Sequence, residues 1–401
     1  MRGIGIALLL LVTAACAAAP PARSTPGPGN SPSGVAATSP TAAGGSSPSA
    51  SPIASAQPTA SSTPLFAALE AKGTPLNQWN TVVIAGLDGY ARAKATFTPM
   101  PTPYVGCAGP VIPSSAHVAA GKVYFADGTG VIRSLSITGQ LTQVATFPLT
   151  SSQQMLSFAV SPDGGRLLAT IFTIPPKAAT GDACSGAPAF APGDFTLAMY
   201  YAEPGRSPRP LWNVSWPQGS TSTQVTALIG WDNVGPLATY PTSWATQGGG
   251  PIHYWGTPVR LDYVTGKMLG PIADPNACGV WDIASSGDFV CVPLGTGDLS
   301  VRRPDGSEIW RVAGQPNSGY ELAFLSPDEQ HLVALGSGTE VLGRGGSDTK
   351  LPDAFQHVGW LDSETVIGGG FNTNLDYVSL SSPGNVVDIG FKGLFVGTVR
   401  N

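Results

Sequence analysis

The sequence predicts an all-β fold built from repeated four-stranded units, and three observations carry that prediction. Glycine and proline are abundant, 51 and 38 of 401 residues, and both are turn formers that helix interiors reject. A hairpin built on Ser-Pro-Asp recurs, at Leu156–Ala169 and again at Glu321–Ala334. A second kind of hairpin follows at matching intervals, with turns at Thr138-Gly139-Gln140, Thr265-Gly266-Lys267 and Pro304-Asp305-Gly306-Ser307. In the Ser-Pro-Asp turn, Pro sets φ at the first central position and Asp bonds its own backbone. A following Gly tolerates positive φ.

Composition removes other classes. Charged residues are 11%, less than half of the roughly 25% usual in soluble domains, which excludes coiled coils and charged helical bundles. A net charge of −5 argues against a nucleic-acid-binding surface. The 42% hydrophobic content and nine Trp exclude a chain that is disordered throughout.

Three segments follow in order. Residues 1–15 read as a secretory signal peptide: Arg2, an apolar run from Gly3 to Val12, then Thr13-Ala14-Ala15 before Cys16. The run is too short to span a bilayer, which takes about 20 residues. Small residues before Cys16 resemble the lipobox of bacterial lipoproteins, although Thr13 stands where that family usually has Leu. The resemblance implies a diacylglyceryl group on Cys16 and anchoring to the outer face of the cell membrane. An ordinary secretory signal cut nearby is the alternative. Residues 16–64 form a linker of Ser, Thr, Pro, Ala and Gly with one charge, Arg23, and no aromatic residue before the folded part. Such a segment buries too little apolar surface to offset its ordering entropy, so it is expected to be a disordered tether.

Residues 65–401 carry the repeat. Four short strands per unit, recurring about every 40–50 residues, are the pattern of propeller blades. The units fall at 111–149, 155–217, 224–272, 278–313, 319–353 and 357–390. The leftovers, Thr81–Thr98 and Gly393–Val399, fit one shared closing blade, which makes a seven-bladed β-propeller; six or eight blades also fit the length. These residues resemble the WD40-like and TolB-like propellers of exported bacterial proteins, and Asp305-Gly306-Ser307-Glu308-Ile309-Trp310 resembles a quinoprotein-type repeat. The resemblance implies fold rather than activity.

Beyond Cys16 there are four cysteines, Cys107, Cys184, Cys278 and Cys291, an even number that in an exported chain favours disulfides over metal. Cys278 and Cys291 flank one hairpin and should face each other, leaving Cys107 with Cys184. Other connectivities, or free thiols, stay open. In a four-stranded blade the A–B and C–D turns open on one rim, and the B–C and D–A connections open on the other. The long segments Met100–Pro113, Ile174–Gly193 and Pro241–Pro258 all belong to the second rim, as do the cysteines.

Chemical signatures are sparse. Ser347–Lys350 matches Ser-x-x-Lys but lies in a Gly-rich turn without partner motifs. His117, His253, His331 and His357 fall in separate units, and His331 and His357 read as structural. Asp182, Asp194 and Asp274 could reach the elaborated rim without being singled out. Trp231, Trp281 and Trp360 recur near inner-strand ends and read as packing between blades. The segment containing Trp244, His253, Tyr254 and Trp255 offers rings on a Gly-rich connection, suited to stacking on a sugar or peptide. The expectation is a monomeric, membrane-tethered binding or scaffolding module with a protein or glycan ligand. It has no cofactor or metal site, and contacts the membrane only through its lipid. The alternative is an exported glycan-acting hydrolase or lyase with carboxylates at the propeller mouth. A quinone-dependent enzyme is a third reading.

Overall fold

The computed structural model describes residues 64–71, 79–101, 115–179, 190–217, 224–239, 242–243, 258–293, 298–313, 322–336, 338–346, 348–352, 355, 357–369 and 374–400. Among them there is no helix; the strands form seven four-stranded antiparallel sheets and one two-stranded ladder. The fold is a seven-bladed β-propeller. From the inner strand outward, blade 2 is Ala116–Ala119, Lys122–Ala126, Val131–Ser136 and Leu141–Thr146. Blade 3 is Gln154–Val160, Leu167–Thr173, Phe195–Ala202 and Arg209–Trp216. Blade 4 is Leu228–Trp231, Pro236–Ala238, Val259–Leu261 and Met268–Pro271. Blade 5 is Cys278–Ile283, Phe289–Pro293, Leu299–Arg302 and Glu308–Val312. Blade 6 is Leu322–Leu325, His331–Leu335, Thr339–Gly343 and Asp348–Lys350, and blade 7 is His357–Trp360, Thr365–Gly368, Asn374–Ser379 and Val386–Lys392.

Blade 1 closes the ring. Its inner strand, Leu394–Val399, comes from the C-terminal end and pairs with Leu65–Glu70, followed by Thr81–Gly86 and Ala91–Thr96. The shared blade is thus three strands from one end and one from the other. Leu65–Glu70 carries no strand signal of its own: Leu-Phe-Ala-Ala-Leu-Glu lacks alternation because four of its six residues are buried. A strand enclosed on both faces reads as a continuous apolar run.

Position within the blade decides the burial pattern. Thr81–Gly86 is buried at every residue, whereas the outer strand Ala91–Thr96 alternates because only one face is covered. The core is accordingly a ring of clusters, most of them filling the seam between two blades, with one inside blade 3 around Phe172 and Phe195. Val123, Phe125 and Leu135 of blade 2 meet Leu69, Val82 and Ile84 of blade 1. Val290, Val301 and Trp310 of blade 5 meet Leu325, Leu332 and Leu342 of blade 6. At the entry to blade 5 the apolar cluster is small: Val280 and Phe289 pack with Ile272 and Ala273 beside Cys278 and Cys291. Those two cysteines form a disulfide across neighbouring strands, with a Cα–Cα distance of 5.4 Å.

Candidate functional site

The two rims of the ring differ in how their strands are joined. On one rim the Ser-Pro-Asp turns repeat the same hydrogen bonds. In blade 3, Ser161 Oγ donates to Asp163 Oδ1 (2.5 Å) and accepts from the Arg166 amide (2.9 Å). In blade 6, Ser326 Oγ donates to Asp328 Oδ1 (2.6 Å) and accepts from the His331 amide (2.9 Å). Each turn then leans on the preceding blade. Gly164, at φ 70°, lies so close to blade 2 that a Cβ would sit 2.4 Å from the Tyr124 hydroxyl. Glu329 occupies the same position in blade 6 at φ 60°, a left-handed conformation that a side chain adopts at a cost of order 1 kcal/mol.

The Glu329 side chain reaches blade 5. Its Oε1 accepts from Ser286 Oγ at 2.7 Å, its carbonyl oxygen accepts from the Trp310 indole at 3.1 Å, and its carboxyl lies beside that of Asp288. Partial burial, then the neighbouring Glu329 carboxyl, push Asp288 up to about 6, while Arg303 opposes the rise. Nearer the axis, Asp282 on the inner strand of blade 5 accepts the Leu325 amide of blade 6 (2.8 Å) and its neighbour's Ile283 amide (2.8 Å). Enclosure between the blades raises it to about 6, against the pull of those two donors. The seam between blades 5 and 6 therefore concentrates three carboxylates, two of them held above their usual range.

Other charges serve the frame. Arg260 forks onto Asp232 (2.6 and 2.8 Å) inside blade 4, and Asp127 accepts from Arg133, from the Thr129 hydroxyl and from the Val131 amide inside blade 2. Both Asp side chains are nearly fully buried, so each pair holds a turn rather than facing a ligand. His117 packs edge-on against Phe158 of blade 3, and burial drives its imidazole down to about 4 despite a bond to the Phe158 backbone. His331 lies against Trp360, whose indole donates to the Phe324 carbonyl (2.9 Å) across the blade 6–7 seam. Among the described residues no group of three His, Cys, Asp or Glu side chains is placed to hold a metal ion.

On the opposite rim, the connections between residues 96 and 116, 173 and 195, and 238 and 259 are each about twenty residues long, and all start or end at that rim. The ladder of Gln224–Val225 with Thr242–Ser243 stands beside blade 4 and joins two of that rim's connections. Trp244, His253, Tyr254 and Trp255 lie outside the described residues, as do Cys16, Cys107, Cys184, Asp182 and Ser347. Asp194 accepts the Ser215 hydroxyl (2.7 Å) within blade 3, and Asp274 caps the turn before Cys278; the described geometry does not bring them together. Trp231 stacks obliquely on Tyr263 of its own blade, and Trp281 packs in the blade 5–6 cluster.

The carboxylates of the blade 5–6 seam escaped the sequence reading. Asp288 and Glu329 are far apart in the chain and meet only because consecutive blades stack. One signal was legible: Glu329 stands where the sister turn has Gly164.

No protein-family model matches the sequence, and no curated protein matches it. Among solved structures, the chain is similar to an oligogalacturonate lyase in complex with manganese: 10% identity, 75% of this chain and 81% of that one covered, TM-score 0.43. It is similar to the dihydro-heme d1 dehydrogenase NirN in complex with DHE at 12% identity, covering 84% and 74%, TM-score 0.41. It is similar to the C-terminal WD40 domain of Sif2 at 10% identity, covering 74% and 90%, TM-score 0.36. These are likenesses of fold alone, shared by proteins of unrelated chemistry.

Proposed function

We propose that the chain is an exported, lipid-anchored β-propeller that binds a protein or glycan ligand on the rim bearing its long connections, without catalysing a reaction. The observation that supports this reading is the asymmetry of the rims. One side is closed by tight turns, while three connections of about twenty residues leave the other side of a rigid ring. Long connections on a rigid scaffold are where recognition resides. The rings of Trp244, His253, Tyr254 and Trp255 supply stacking surface there, Cys16 supplies the anchor, and residues 17–64 supply reach.

Two measurements test the reading. Crosslinking on intact cells should capture a partner that is lost when Trp244 and Trp255 are both changed to Ala; unchanged capture would remove the site assignment. Cys16→Ser should abolish fatty-acid labelling and move the protein from the detergent phase to the aqueous phase. Persistence of label would disprove the anchor.

A second reading, a glycan-acting hydrolase or lyase, has one observation in its favour. Asp288, raised to about 6 beside Glu329, is a carboxyl whose proton is held closer to neutral pH, a property that acid–base chemistry on glycosidic bonds employs. Turnover of an oligosaccharide panel that disappears in Glu329→Gln would favour it over the binding module.

A further inference from the structure

A groove of about 240 Å³ runs along the outer perimeter between blades 3 and 4. Its origin is a mismatch in strand length. The outer two strands of blade 3 are eight residues each, whereas the strands of blade 4 that face them are three and four. At roughly 3.3 Å per residue, blade 4 covers only about half the height of blade 3. What it leaves open is apolar: Trp212, Val214 and Trp216 from one wall, Met199 from the floor, Met268 from the other wall. Val214 and Met268, from opposite walls of the groove, are 37% and 43% exposed. Two large apolar side chains thus meet solvent across one groove.

The lining also says what kind of ligand fits. Among the described residues Lys267 is the only charged one along the groove, and no carboxylate forms an ion pair with it. A glycan would need hydrogen-bonding side chains, but among the described lining residues Thr226 carries the only hydroxyl, and the Trp212 indole N–H is already given to the Gly266 carbonyl (3.1 Å). The volume lies just below the usual range of small-molecule pockets, roughly 300–1,000 Å³. We propose that this groove binds a small amphipathic organic anion. Its apolar body would lie against Trp212, Trp216 and Met268, and its single carboxylate would meet Lys267. The site lies on the perimeter and is independent of the rim reading.

The test is calorimetric titration of the full chain with decanoate and with 1-naphthylacetate, each beside its neutral methyl ester. At least one acid should bind saturably at one site, and its ester should bind about two- to fivefold more weakly at low salt, the worth of an exposed ion pair. Saturation by decanoate alone assigns an alkyl body; saturation by 1-naphthylacetate alone assigns an aryl one. Lys267→Gln should erase the difference between acid and ester. Val214→Glu, a change at an exposed position that puts a like charge in the wall, should weaken the acid at least tenfold. The proposal is overturned if neither acid saturates, if acid and ester bind equally to the unmodified protein, or if Val214→Glu binds undiminished while melting normally.

Discussion

The seam between blades 2 and 3 and the seam between blades 5 and 6 are built on the same Ser-Pro-Asp turn, yet they respond to protons in opposite directions. At the first, Gly164 fits against Tyr124, and the buried titratable group is His117, held neutral. At the second, Glu329 replaces that glycine, and the titratable groups are carboxyls, the enclosed Asp282 and the half-buried Asp288, held toward their protonated forms. The repeat fixes the backbone of the turn and its lean onto the preceding blade. It leaves free which side chain fills the left-handed position, and with it the chemistry of the seam.

Linkage gives each seam a sign. His117 has a folded value of about 4, below its usual 6.5, so the stability it contributes is full above pH 6.5 and is lost as pH falls toward 4. Asp282 has a folded value of about 6, above its usual 3.8, so its contribution is full below pH 3.8 and is lost as pH rises through 6. Between pH 4 and 6 the two oppose each other in the intact protein, and single substitutions should separate them.

The largest effect is expected where the turn has no slack. Gly164→Ala forces a Cβ against the Tyr124 hydroxyl at positive φ and should cost about 3–4 kcal/mol in denaturant unfolding. A loss below 1 kcal/mol would show that the blade 2–3 seam yields as readily as the turn carrying Glu329. Next, His117→Gln should remove about 2–3 kcal/mol of acid sensitivity, so that the variant becomes more stable from pH 6.5 down to 4. Melting curves across that range that keep the slope of the unmodified protein would exclude His117 as its source. Asp282→Asn acts the other way: stability at pH 7 relative to pH 4 should rise by about 2 kcal/mol over that of the unmodified protein. The smallest effect belongs to Glu329→Gly, which relieves the left-handed strain and the carboxyl pair and should stabilise by about 1 kcal/mol at pH 8. Destabilisation there would mean that the bond from Ser286 outweighs the strain.

Much of the frame was legible in the chain. Blade spacing, the Ser-Pro-Asp hairpins and the Gly-centred outer turns follow from local φ preference, so they can be read residue by residue. Leu65–Glu70 was not, because a strand covered on both faces has no alternation to display. Asp282 and His117 carry no local signature either. Their unusual protonation comes from enclosure by a neighbouring blade, and burial is set by what stacks on a sheet rather than by the residues flanking it.

The sequence by itself determined that this protein is a ring of four-stranded β units whose turns are tight on one rim and long on the other, since turn chemistry and repeat spacing are local properties. The tertiary structure alone decided which side chains meet across seams: Asp288 with Glu329, Asp282 with the Leu325 amide, Trp212 and Trp216 with Met268 along an uncovered groove. Those encounters depend on the stacking of separate blades and on the relative lengths of their strands, and neither is written within any one repeat.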